Sequence, residues 1–162
     1  MKPLTADDIR ASFLNAPREV VERMTLPGLH EVLWGEREYL GWRDRRAPQR
    51  GYLVHWVDER PVGLVLRASE FSLEHGISAQ CSLCRIAQPS HQVTMFTAPK
   101  AGEAGLEGST VGTYICDDLA CSMLIRILPA PSPLQPDPAE VLERRSAGLT
   151  HRIRSFTERV AA

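Results

Sequence analysis

The most specific chemistry in this chain is carried by four cysteines. Cys81 and Cys84 form a C-x-x-C pair, Cys116 and Cys121 form a C-x-x-x-x-C pair, and there is no fifth cysteine. Each pair is close enough to grip one metal ion, and the insert between the pairs has the length of a hairpin that folds back to the same ion. The pattern predicts one tetrahedral thiolate site, a single Zn²⁺ held by Cys81, Cys84, Cys116 and Cys121. Such binding contributes apparent free energies of about 10–16 kcal/mol in small zinc domains, enough to decide whether the region folds. A catalytic zinc keeps a position open for water, whereas four thiolates close the sphere, and the H-x-E and P-C-x-x-C pattern of zinc deaminases is missing. A thioredoxin-like C-x-x-C needs no second pair. An iron–sulfur cluster also takes four thiolates, and metal analysis separates it from zinc.

No other constellation demands catalysis. The chain contains no G-x-G-x-x-G, P-loop, H-E-x-x-H or G-x-S-x-G, and the histidines at 30, 55, 75, 91 and 151 are scattered. A non-enzymatic protein is expected.

The elements that must position the cysteines are legible in part. Thr5 is placed to cap a first helix with Asp8 at N3, and Leu4 to staple onto Ile9. Pro17 is placed to open a second helix carrying Val20, Val21 and Met24, which Pro27-Gly28 ends. Residues 29–42 show no clean period and read as a packed loop. Residues 52–57 and 62–68 are β-rich and predict a hairpin across a four-residue connection, Asp58-Glu59-Arg60-Pro61, with His55 as a structural cross-strand residue. A polar run, 70–80, with a turn at Gly76, leads to the first cysteine pair. Strands over 91–97 and 110–115 flank a glycine-rich loop, 98–109. Leu119, Met123 and Ile127 recur at helical spacing, which places Cys116 at a helix start and Cys121 in its first turns. Five prolines between 129 and 138 make a stiff connector. A last helix then begins at Asp137-Pro138. It carries Leu142, Leu149, Ile153, Phe156 and Val160 on one face and Arg144, Arg145, Arg152, Arg154 and Arg159 on a solvated one. Gly148 inside it costs about 1 kcal/mol.

The order is knuckle, hairpin, helix, the layout of a treble clef. The fold class is α+β: N-terminal helices and a β-hairpin joined to a treble-clef zinc finger, with a C-terminal helix. We read residues 1–162 as one domain, made of helices plus hairpin (1–78), zinc finger (79–128), Pro-rich connector (129–138) and C-terminal helix (139–160).

Composition is that of an ordinary globular chain: 162 residues, 43% hydrophobic, 24% charged and net charge −1. No apolar run spans a bilayer, and the start has no secretory layout, so a cytoplasmic monomer without membrane contact is expected. In a reducing cytosol, cysteines serve metal binding rather than disulfides. The preference for arginine over lysine, with abundant Ala, Pro and Gly, resembles the bias of a GC-rich bacterial genome.

The stretch Val111-Gly-Thr-Tyr-Ile-Cys116-Asp-Asp-Leu-Ala-Cys121, with Cys81-Ser-Leu-Cys84 upstream and Leu40-Gly-Trp-Arg-Asp44 before the first hairpin, resembles the C-terminal treble-clef zinc-finger domain of the elongation factor G-binding proteins, which include the FusB-type fusidic acid resistance proteins. The similarity covers nearly the whole chain, in the manner of short stand-alone actinobacterial members. It implies a non-enzymatic protein that docks on translation elongation factor G, on or off the ribosome, and modulates the factor's release. Lys100, Thr110, Tyr114 and Arg126, on the hairpin and the following helix, are the residues expected at that contact, with Lys100 beside the metal. The alternative is a zinc finger for RNA, DNA or the ribosome, drawing on the arginines of the last helix. The acidic net charge and the lack of a basic run interleaved with aromatics weigh against direct nucleic-acid binding.

Overall fold

A computed structural model describes residues 1–70, 76–130, 132 and 136–162. The expected polar run 70–80 and the connector 129–138 therefore lie partly outside the described residues. Gly76 has the positive φ of a turn.

The chain begins with α1 (Ala6–Ala11), capped as expected: the Asp8 N–H donates to Thr5 Oγ1 at 3.1 Å and the Thr5 N–H to Asp8 Oδ2 at 2.9 Å. The helix is short because residues 12–15 leave it for a sheet edge. α2 (Arg18–Arg23) follows, with Pro17 as its N-cap rather than its first turn. Two 3₁₀ turns occupy Leu29–Glu31 and Trp34–Glu36.

The expected loop over 29–42 ends instead in a strand, β1 (Leu40–Arg43), antiparallel to β2 (Arg50–Val57). Four residues are too few to show a period of their own, and the pairing that makes them a strand is with residues eight to fourteen positions away. Leu40-Gly-Trp-Arg-Asp44 acquires a physical meaning here. Trp42 stacks on Tyr52 at 5.0 Å and donates from Nε1 to the Thr25 carbonyl, while Asp44 accepts the Tyr52 O–H and the Arg46 N–H.

β2 turns into β3 (Arg60–Ala68) through Asp58 and Glu59 alone, both at positive φ, so the connection is two residues rather than four. Such a tight turn suits the right-handed twist of the strands. Pro61 thus lies inside β3, opposite Trp56. It is tolerated because β6 (Val93–Pro99) pairs with β3 only at Arg67 and Ala68. The open part of that edge is covered by the N-terminal segment. Leu14 donates to the Gly63 carbonyl, Gly63 to that of Ser12, and the Asn15 amide takes the Val65 N–H and gives to the Val65 and Pro99 carbonyls. A side-chain amide here does the work of a neighbouring strand.

β4 (Ser78–Gln80) and β5 (Ala87–Pro89) form a small separate hairpin. β6 pairs with β7 (Thr110–Cys116), and the five-stranded order is β1-β2-β3-β6-β7. The expected loop 98–109 holds one helical turn, α3 (Glu103–Leu106). After β7 comes α4 (Cys121–Leu124), and last α5 (Pro138–Ala161), where the Ala139 N–H donates to Asp137 Oδ1 at 2.7 Å.

Both faces of the sheet are buried, which is why β2 is nearly all apolar. On one face Leu40, Trp42, Tyr52 and Val54 pack with Leu4, Ile9, Val21 and Met24. On the other, Leu53, Leu64, Leu66, Phe96 and Ile115 join the cysteines and the α5 residues Leu149, Ile153, Phe156 and Val160. The α+β reading holds, but the two hairpins share one sheet because of the β3–β6 pairing.

Candidate metal centre

Two elements bring the cysteines together. β4 and β5 are joined by residues 81–86, where the Arg85 N–H donates to the Cys81 carbonyl at 2.9 Å and Arg85 itself adopts a left-handed φ of 63°. This turn aims the N–H groups of Leu83 and Cys84 at Cys81 Sγ, 3.3 and 3.4 Å away. The knuckle is fixed to the sheet by Ser82 N–H, which donates to the Tyr114 carbonyl at 2.8 Å.

Cys116 is the last residue of β7, not the start of a helix. Its carbonyl accepts the Leu119 N–H, Leu119 takes a φ of 59°, and Cys121 is the first residue of α4. The expected stripe of Leu119, Met123 and Ile127 is accordingly broken: Leu119 is buried, while Met123 and Ile127 are exposed. The turn after β7 puts Leu119 out of phase with the four-residue helix that follows. Helical spacing alone does not register that break.

The four sulfurs form a compact cluster. Cys81–Cys121 and Cys84–Cys116 are 3.6 Å apart, Cys116–Cys121 3.5 Å, and all four lie within 4.8 Å of one another. A tetrahedron of Zn–S bonds of about 2.3 Å has edges of about 3.8 Å, close to these separations. All four cysteines are buried. The surroundings also suit thiolates. The Gln88 Nε2–H donates to Cys116 Sγ at 3.2 Å. Tyr39 Oη is buried with no hydrogen-bond partner among the described residues, and its proton loss is opposed first by burial and then by the charge of Cys121. Beside the sulfur cluster that hydroxyl keeps its proton. The thiols perturb one another in opposite directions. Cys81 is lowered chiefly by the Cys116 S–H, and Cys121 is raised chiefly by Cys116. A bound divalent cation holds all four deprotonated. The donor set, the spacing and the burial fit one structural zinc.

The sheet curls so that this centre also touches β1. A Cβ on Gly41 would fall 2.5 Å from the Leu119 carbonyl and 2.6 Å from Tyr39 Cε2, so glycine is required for the approach. Arg43 clasps the carbonyl and carboxylate of Asp117, both at 3.1 Å.

The other expected contact residues are dispersed. Thr110 opposes Pro99 at one end of the β6–β7 hairpin, and Cys116 opposes Val93 at the other. Six residues of strand are about 20 Å, so Lys100 and Thr110 lie far from the metal, and Lys100 is not beside it. Lys100 lines a groove of about 430 Å³ with Leu14 and Leu106. Tyr114 is 36% exposed on β7. Arg126 forms two 3.0 Å hydrogen bonds to Glu38, whose side chain is only 5% exposed. Burial opposes ionisation of Glu38, but Arg126, Ser146 and Ser122 outweigh it and hold the carboxyl below its usual pKa. Arg126 is thus committed inside the protein.

Sequence reasoning missed Tyr39, Gln88 and Glu38. Each reaches its partner across 28 or more positions of chain, and no local pattern marks it.

Residues 8–160 match the family model described as FBP C-terminal treble-clef zinc-finger. No curated protein matches the chain. Among solved structures, the fusidic acid resistance protein FusC is similar at 22% identity and a TM-score of 0.49, covering 64% of this chain and 46% of that one. The chain therefore spans less than half of FusC. With a closed Cys₄ centre between knuckle, hairpin and helix, and a family match over nearly its whole length, this chain belongs to the FBP C-terminal treble-clef zinc-finger family.

Proposed function

We propose that this protein is a non-enzymatic binding module for translation elongation factor G, acting as a cytoplasmic monomer and influencing the factor's release from the ribosome. The observation that carries the reading is the family match over residues 8–160. The closed, buried cysteine cluster supports a structural rather than a catalytic metal, since no ligand position is left for water. The surface offered to the factor runs along the exposed side of the β6–β7 hairpin, through Lys100, Thr110 and Tyr114. Arg126 acts indirectly, by holding Glu38. Among the described residues no helix is long and apolar enough to cross a membrane. Pull-down with the host's elongation factor G tests the reading. Retention at micromolar concentration in low salt, weakened by a Lys100→Glu, Tyr114→Ala pair, is expected. No retention under those conditions overturns it.

A further inference from the structure

The expected solvated face of α5 is not uniformly solvated. Arg145 donates to the Ile125 and Ile127 carbonyls at 3.2 and 3.0 Å, and Arg152 donates from Nε to the Leu83 carbonyl at 2.5 Å. Arg152 is thus anchored on the zinc knuckle and Arg145 on the chain that leaves α4. Gly148 explains how Arg152 gets there. A Cβ at that position would lie 2.9 and 3.1 Å from the two terminal nitrogens of Arg152, so the guanidinium lies flat along the helix in space that only glycine leaves.

Between knuckle and helix is an open cleft of about 460 Å³, lined by Arg85, Arg144, Arg145 and Arg152 together with Cys84 and Ile86. We infer that this cleft is an oxyanion site, taking a phosphate group through these four arginines. No carboxylate lines it. By contrast, the cleft along Arg23, Arg46 and Arg50 includes Glu22 and Asp44. Among the described residues, none of the four arginines is paired with an acid, whereas Arg10, Arg18, Arg43, Arg126 and Arg154 all are.

The zinc centre does not account for so much positive charge. A tetrathiolate zinc carries about two negative charges, against four guanidiniums. Two of these are fixed by backbone carbonyls, each of which uses only part of a five-donor fork, so the remaining N–H groups are held in place before a ligand arrives. Planar forks of this kind match phosphate oxygens in pairs. No aromatic side chain lines the cleft, which suits a phosphate rather than a base or nucleoside. This site is separate from the hairpin surface and does not rest on the elongation-factor reading.

The test is calorimetric titration of the zinc-loaded full chain with inorganic phosphate and, separately, with a short single-stranded oligouridylate over a range of salt. Two variants are compared: the Arg85→Ala, Arg144→Ala pair, which removes two exposed side chains, and Gly148→Ala, which displaces Arg152. Saturable binding that falls about tenfold or more in the pair supports the site. Gly148→Ala separates binding from folding, because alanine is the better helix former and only a flexible side-chain end must move. Its melting temperature holds or rises while its affinity falls severalfold. If the oligonucleotide binds more tightly than phosphate, and its salt slope drops by about one for each arginine removed, the source is a nucleic-acid backbone. If inorganic phosphate alone binds, the source is a free anion. Absence of saturable binding of either ligand, equal affinity in the variants, or displacement by polyglutamate at equal charge concentration overturns the proposal. The last of these outcomes would mark a surface for acidic protein instead.

Discussion

Burial sets the chemistry of His55. Its Nε2 lies 2.8 Å from Thr157 Oγ1 on α5, and burial, followed by the Arg154 charge, lowers its pKa from 6.5 to about 4. The unfolded chain then binds a proton that the folded chain refuses. The sign follows: this contribution is complete above about pH 6.5 and is lost as pH falls toward 4, about 3 kcal/mol across the window. Thermal melts of the protein and of His55→Gln at pH 7 and pH 5 should show the smaller acid loss in the variant, by about 2 kcal/mol. Equal losses would mean that His55 titrates normally. Cysteine type and spacing specified the ligands without any tertiary knowledge, and His55 was recognisable as structural from its place in a β-rich run. Its partner Thr157, like Tyr39 and Gln88 at the sulfurs, is joined to it only by the fold.

Among elements, the strongest local signals belong to the helix starts at Thr5 and Asp137, which the structure reproduces with the expected side-chain bonds. Apolar spacing placed Leu149, Ile153, Phe156 and Val160 on the buried face of α5 correctly. It failed after β7, where the Leu119 turn resets the phase, and at β1, where pairing rather than periodicity makes the strand. It also could not distinguish a solvated arginine from Arg126, which joins α4 to the segment before β1 through Glu38, while Ser146 of α5 donates to the same carboxylate at 2.7 Å. Arg126→Ala leaves that buried carboxylate uncompensated and should cost about 3–5 kcal/mol in denaturant melts. Glu38→Gln added to it should restore part of the loss. A change within about 0.5 kcal/mol, the range of ordinary surface substitutions, would show that the pair is not structural.

At the scale of the whole molecule, the centre is tied to both cores. Leu53, Leu64 and Leu66 from the first hairpin pack in one cluster with the four cysteines and α5, while the opposite face of the same sheet holds Trp42 and Tyr52. Loss of zinc should therefore travel through the sheet. Chelation, or Cys84→Ser, is expected to shift tryptophan emission together with the far-ultraviolet signal in one transition, although all three tryptophans, Trp34, Trp42 and Trp56, lie with the N-terminal core. Unchanged emission after zinc removal would mean that the two halves fold independently. That coupling was not legible in the chain, because the β3–β6 pairing that creates it spans only two residues.

A structural metal requires a closed centre, with all four positions taken by thiolates. Absorption spectroscopy of the cobalt-substituted protein tests this most directly, since cobalt takes the zinc position and reports its coordination. A tetrahedral tetrathiolate spectrum that does not change on adding azide or imidazole is the expected result. A five- or six-coordinate spectrum, or a shift on adding either ligand, would show an open position and overturn the structural reading of the metal.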